Sequence, residues 1–314
     1  MNEQNGSYSL AMVPFVPWVV YNVAEKKGFW EKQGIEVSVK VYITEDKYVD
    51  AVINDKNDFF PLPLASTIDF INSGKDLVYL GMLDRSNGHK HLIQKNSHLQ
   101  KPLKGETVAL YAEESTTKYT VARYLKTKGL KLSDVNLIFI DDELLADEFI
   151  NGDIKLVLAF RGIKERLRTE GDGSTVFTTG DYLDPFGLNA DRKVLSKIPV
   201  ADLTKLYQGR FEALKWIDSP DNWEELKSIV NDVTFKGLPQ MSDEDIRIQL
   251  GEVKVPNAEE LLKYNEVDFA SNFDEFKQVI IENMILDEQY HSQFILENIV
   301  QNQVLIDTLK KVTI

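Results

Sequence analysis

Four short segments place small hydroxylated, aromatic or charged residues where an apolar run gives way to a helical one. They are Pro14, Phe15 and Trp18; Ala65, Ser66 and Thr67; Ser115, Thr116 and Thr117; and Phe160 with Arg161. In an open α/β sheet such junctions lie at the C-terminal ends of strands, where ligands bind. Helix N-termini there offer unpaired N–H groups and a partial positive charge. The aromatic rings offer flat apolar walls, the prolines stiffen the loop that carries them, and Arg161 could grip a carboxylate or sulfonate with two parallel hydrogen bonds. Each residue also has a plainer use: Ser and Thr cap helices, and an aromatic after a strand fills a core. Taken together, the four junctions outline a pocket.

Catalytic constellations are missing from the sequence. No GxGxxG follows the first strand, and GxxxxGK[ST], HExxH and GxSxG do not occur. His89 and His91 could form a two-residue metal clip, but neither a third histidine nor a carboxylate stands beside them, and a polar strand edge is the simpler reading. There is no cysteine, which removes disulfides, thiol nucleophiles and thiolate-bound metals. The net charge of −14 speaks against nucleic acid or an anionic membrane surface as partner. No stretch approaches the ~18 apolar residues of a spanning helix. No cofactor is expected.

The elements that must position the junctions follow from periodicity. Ile35, Val37, Val39, Val41 and Ile43 alternate with polar residues, so a strand is expected there. Residues 8–13 read as a shorter strand. The segment between is a helix over about residues 17 to 27, with Pro17 in its first turn and Gly28 as its left-handed C-terminal cap. A strand, helix, strand order implies parallel pairing by a right-handed crossover. Apolar strands and helices keep alternating to about residue 187, which predicts an α/β fold. From about residue 200 the chain is helical, beginning with a stripe of Leu203, Tyr207, Phe211, Leu214 and Ile217. Ser219 and Pro220 then suit the start of the next helix.

These pieces, in their order, resemble the solute-binding proteins of ABC importers in the nitrate, sulfonate, taurine and thiamine-precursor (NMT1-like) family. Ala24, Glu25, Gly28, Phe29, Gly34 and Ile35 match its opening helix and turn; Asp58 matches its Gly-x-x-Asp segment, with Asp55 in place of the glycine. Asp84, Ser86, Asn87 and Gly88 are close to the Asp-x-Ser-Asn-Gly segment of the sulfonate branch. Leu103-Lys104-Gly105 resembles the start of the second lobe, and Ala213-Leu214-Lys215-Trp216-Ile217 a later family helix. The likeness covers most of residues 8–235. It departs at Phe160, Arg161 and Gly162, where many members carry Trp-Glu-Pro.

The resemblance implies a type II periplasmic-binding-protein-like fold, with a ligand cleft closing between two α/β lobes. Lobe one would be residues 1–104 and 188–314, lobe two 105–187. The implied activity is solute capture for a membrane permease, without catalysis, by a monomer in the periplasm or lipid-anchored at the cell surface, its leader not part of this sequence. Ligand contacts are expected from the junction residues above, with Asp84 and Asn87, and from Tyr182 and Asp184 in the loop near the second crossover. Asp181 and Asp184 suit a zwitterion or amino-bearing heterocycle better than a bare anion, leaving a taurine-like sulfonate and a pyrimidine both open. The alternatives are a sensing module of a receptor, or an enzyme similar to the fungal pyrimidine synthases, whose cysteine-rich motif this chain lacks.

Overall fold

The computed structural model describes residues 6–54, 56–160 and 162–313. Its strands are β1 (Gly6–Met12), β2 (Ile35–Val41), β3 (Phe60–Pro63), β4 (Leu77–Ser86), β5 (Lys90–Lys95), β6 (Thr107–Leu110), β7 (Asn136–Phe139), β8 (Leu156–Phe160), β9 (Gly173–Thr178), β10 (Pro185–Asp191) and β11 (Val253–Lys254). The helices of the first half are α1 (Val19–Lys26), α2 (Phe29–Gln33), α3 (Glu45–Ile53), α4 (Thr67–Asn72), α5 (Ser115–Thr127), α6 (Asp142–Asn151) and α7 (Ile163–Thr169). Those that follow are α8 (Arg192–Leu195), α9 (Val200–Ile217), α10 (Trp223–Ile229), α11 (Asp243–Gly251), α12 (Ala258–Lys263), α13 (Phe269–Glu282), α14 (Leu296–Ile299) and α15 (Gln303–Thr313).

β1 and β2 pair in parallel, with Gly6 opposite Ile35 and Met12 opposite Val41. Leu10 bridges Phe59, and Ala11 N–H donates to the Phe59 carbonyl at 2.9 Å, so β3 continues the same surface. The first sheet therefore runs β2-β1-β3-β10-β4-β11, with β10 antiparallel to both neighbours. The second runs β7-β6-β8-β5-β9, with β5 antiparallel to both neighbours. Each sheet thus holds four parallel strands and one antiparallel strand that has crossed from the other sheet, and the short β11 adds a second antiparallel strand at the edge of the first. The chain changes sheets twice, at residues 87–89 and 179–184. Residues 90–95 pair inside the second sheet, although the family plan puts everything up to residue 104 in the first lobe.

The opening helix forms as its sequence asks. A 3-10 turn at Val16–Trp18, with proline in its first positions, leads into α1, and Gly28 adopts φ 64° beyond the helix end. Helix α9 packs differently from its apolar stripe. Its buried face carries Leu203, Leu206, Tyr207, Gly209, Arg210 and Ala213, while Phe211, Leu214 and Ile217 are only partly covered. Gly209 is on that face because a Cβ there would stand 2.2 Å from the Trp30 ring. The indole lies against the bare helix backbone and donates to the Leu206 carbonyl at 3.0 Å.

Candidate functional site

The site is built where α4 of the first lobe meets the N-terminus of α5 in the second. Glu114 holds the N-cap position of α5 but does not cap it. Asp69 caps it from the other lobe: the Ser115 N–H donates to its two carboxylate oxygens at 3.0 and 3.1 Å, and the Ser115 hydroxyl donates at 2.6 Å. Burial raises the Asp69 carboxyl, and the Ser115 bonds pull it back down. Glu114 approaches Glu45 at the start of α3, and burial followed by that second carboxyl pushes Glu114 up to about 8.

Beside this joint lies Lys90, 4% exposed, whose ammonium donates to the Thr116 hydroxyl at 2.6 Å. Burial lowers its pKa, and Asp184, Glu114 and Asp69 oppose that shift. Asp184 ends the second crossover. It is 1% exposed, neither carboxylate oxygen has a hydrogen-bond partner, and burial, offset by Lys90, pushes it up to about 6. Burial raises the phenols of Tyr79, Tyr119, Tyr182 and Tyr264, and the Asp184 charge adds to the shift in each. The Tyr182 hydroxyl meets that of Thr120 at 2.9 Å, and its ring stacks on Phe177.

The remaining sequence-derived residues separate into two groups. Phe15, half-buried on its proline-flanked loop, reaches across to the crossovers, its ring centroid 6.0 Å from His89 and 6.4 Å from Phe186. Pro14 beside it is half-buried, as is Ser66; Ala65 is buried. Trp18 is buried in the core with its ring edge on Phe15, so it backs the wall. Thr117 turns its hydroxyl back to the carbonyls of Ala112 and Glu114.

Asp84 is paired inside lobe one with Arg210, at 2.6 Å, both buried. Asn87 is exposed and bonds the carbonyls of Gly251 and Glu252, away from the joint. His89 bonds the Ser86 hydroxyl at 2.7 Å, whereas His91 lies beside Lys164, so the two rings share no partner. Among the described residues no group of three metal-ligating side chains gathers, and no helix is long and apolar enough to cross a membrane. Arg161 and Asp55 lie outside the described residues; Phe160 ends β8.

Of the sequence-derived residues, Ser115, Thr116, Tyr182 and Asp184 come together at this joint, with Asp69, Glu45, Glu114 and Lys90, which the sequence did not single out. The paired Glu113 and Glu114 ahead of a Ser-Thr-Thr helix start was the one available signal. Nothing local marks Asp69 or Lys90, whose partners come from other elements.

The lobes also meet beyond this joint. Arg123 and Lys126 of α5 bond Glu275 of α13 at 3.0 and 3.2 Å, Tyr119 packs on Phe276, and the Leu132 N–H donates to the Asn283 side chain. The structure is therefore a closed arrangement of two lobes.

Comparison with known proteins agrees with this architecture. A model of the family described as NMT1/THI5 like matches residues 18–192, more than half of the chain. Comparison with curated proteins gives no match. Among solved structures, the chain is similar to the periplasmic nitrate-binding protein NrtA from Synechocystis PCC 6803, at 15% identity and a TM-score of 0.71 over 98% of this chain and 89% of that one. It is similar to the periplasmic aliphatic sulphonate binding protein SsuA from Escherichia coli, at 16% identity and a TM-score of 0.68 over 94% and 99%. A ligand binding component of an ABC-type import system from Staphylococcus aureus gives 9% identity and a TM-score of 0.67 over 96% and 98%. At these identities the likeness establishes the fold, a periplasmic-binding-protein fold of two lobes. With its twice-crossed sheets and a family model spanning both crossovers, the chain belongs to the NMT1/THI5-like family.

Proposed function

We propose that this chain is the solute-binding component of an ABC importer. It captures a small organic solute between its lobes outside the cytoplasmic membrane, free in the periplasm or held by a lipid anchor, and hands it to a permease as a monomer without chemical change. The observation that carries this reading is the Asp69–Ser115 joint. Groups from α4 and α5 meet across the interlobe cleft at the ends of strands, where an α/β fold takes its ligands. We place the lobes at residues 1–86 with 185–314, and 90–178, hinged on the two short crossovers. The family and the solved neighbours, several named as binding components of importers, support the role.

Thr116, Lys90, Tyr182 and Asp184 are the residues we assign to the solute, with Phe15 as an apolar wall and Ser115 held by Asp69 at the joint. The test is native mass spectrometry of the protein purified under mild conditions, followed by unfolding and refolding. A small mass lost on unfolding supports the reading and identifies the solute. A thermal-shift panel of sulfonates, pyrimidines and amines then reads binding as a raised melting temperature. Turnover of a bound compound would overturn it.

A further inference from the structure

A helix N-terminus facing a cleft is the natural place for an anion, because its free N–H groups and dipole favour negative charge. Here that place is already taken. Asp69 supplies a carboxylate from the opposite lobe and receives both the Ser115 N–H and the Ser115 hydroxyl. A sulfonate or nitrate would have to displace it, and would then meet Glu114 and Glu45 as well.

Among the described residues, carboxylates outnumber cations at the joint. Lys90 is the buried ammonium beside Asp69, Glu114 and Asp184, with Lys118 also acting on Asp69, and its short hydrogen bond goes to Thr116. Asp184 is left buried, with both oxygens unpartnered. A buried carboxylate without a donor is costly and calls for a partner carrying N–H groups. The residues flanking it, Leu183 and Pro185, line an interlobe groove with Tyr119, Tyr264 and Phe273, where Arg123, itself a cation over the Tyr182 ring, is paired with Glu275. Aromatic faces around a carboxylate are the surroundings an organic cation prefers.

Building on the binding-protein reading, we propose that the cleft selects a solute whose polar end is a protonated nitrogen, an ammonium or amidinium. Asp184 receives its N–H groups, and Asp69, by holding the α5 N-terminus itself, turns anions away. The tyrosines cover the carbon skeleton next to the charge.

The test is calorimetric titration of the refolded, ligand-free chain with putrescine, choline, benzamidine, ethanesulfonate and nitrate, on the natural sequence and on Asp184→Asn. The expected result is binding of at least one cationic probe and of neither anion. Asp184→Asn should weaken that binding at least tenfold while melting no lower than the parent, since the buried carboxylate it replaces has no hydrogen-bond partner. Binding of an anion unchanged by Asp184→Asn would overturn the cation assignment and leave the importer reading standing. Failure of every probe, with no solute found by native mass spectrometry, would overturn both.

Discussion

The two lobes share one strand order but differ in how they are supported. Helices α9 to α15 follow the return to the first sheet and enlarge a core that includes Trp30, Tyr79, Tyr207, Phe273 and Phe294. The second sheet has a separate, small cluster on one face, centred on Phe149 with Leu145, Val157 and Leu167. The charges differ as well. Lobe one buries Asp84 with Arg210 as its partner, while Asp184, between the two sheets, is buried with neither carboxylate oxygen hydrogen-bonded. A paired buried charge holds structure in place; an unpaired one is a cost that the proposed ligand would offset.

Emptying the smaller core should have the largest effect. Phe149→Ala should cost about 3–5 kcal/mol, and because the cluster is small the loss should unfold lobe two ahead of lobe one. Urea unfolding followed by an intrinsic probe in each lobe would show two transitions; a single one would mean that the lobes share one cooperative unit. Arg210→Met tests the paired charge. It leaves Asp84 alone in the interior and should cost about 3–5 kcal/mol, most of it regained in Arg210→Met with Asp84→Leu. If the double variant is no better than the single one, the pair is not what the site depends on.

Asp69→Ala should act on lobe closure. It removes hydrogen bonds to a charged acceptor, worth about 1.5–3 kcal/mol each, and small-angle scattering should record a larger radius of gyration without loss of helix by circular dichroism. An unchanged radius would show that the Arg123–Glu275 side alone holds the lobes together.

The pH dependence sharpens the contrast between paired and unpaired carboxyls. Asp84 and Asp184 stand at about 6 when folded against an ordinary 3.8, so the folded chain binds protons more readily than the unfolded one. Their contribution to stability is therefore greatest at low pH and is lost as the pH rises through about 6. Glu114 extends the window to about 8. His91, held near 4 by burial and by Lys164, works in the opposite sense below its ordinary 6.5. With three carboxyls against one imidazole, the ligand-free protein should melt higher at pH 5.5 than at pH 8, as scanning calorimetry would show. The smallest effect is expected from Lys126→Ala, which removes an exposed ion pair worth less than about 1 kcal/mol and should leave the melting temperature nearly unchanged.

Much of the first lobe was legible because local pattern and final environment agree. Ile35 and Val37 alternate as a strand buried on one face should, and Gly28 is left-handed where the opening helix must stop. The strands that change sheets were harder to read. Lys90-His91-Leu92-Ile93-Gln94-Lys95 buries Lys90 and Gln94, which are satisfied by Thr116 and by the His98 carbonyl, so the polar positions that mark a solvent face are inside. The same holds for Arg210 and Gly209 in α9, which hydropathy assigns to the surface and which Asp84 and Trp30 draw into the core. In the site, Ser115 was visible as a helix start. The carboxylate that caps it stands 46 residues earlier in the chain, and only the fold brings the two together.

The exchanged strands also fix an order of assembly. Residues 90–178 contain every strand of the second sheet in one uninterrupted run, so that sheet can close as soon as this stretch has been synthesised. The first sheet cannot, because β4 and β3 wait for β10 to pair between them. Until then both present unpaired edges, the state in which chains pair wrongly with one another. The second sheet is thus finished while it sits inside an unfinished one, and the long exposure of β4 is the hazard that any helper of folding has to cover.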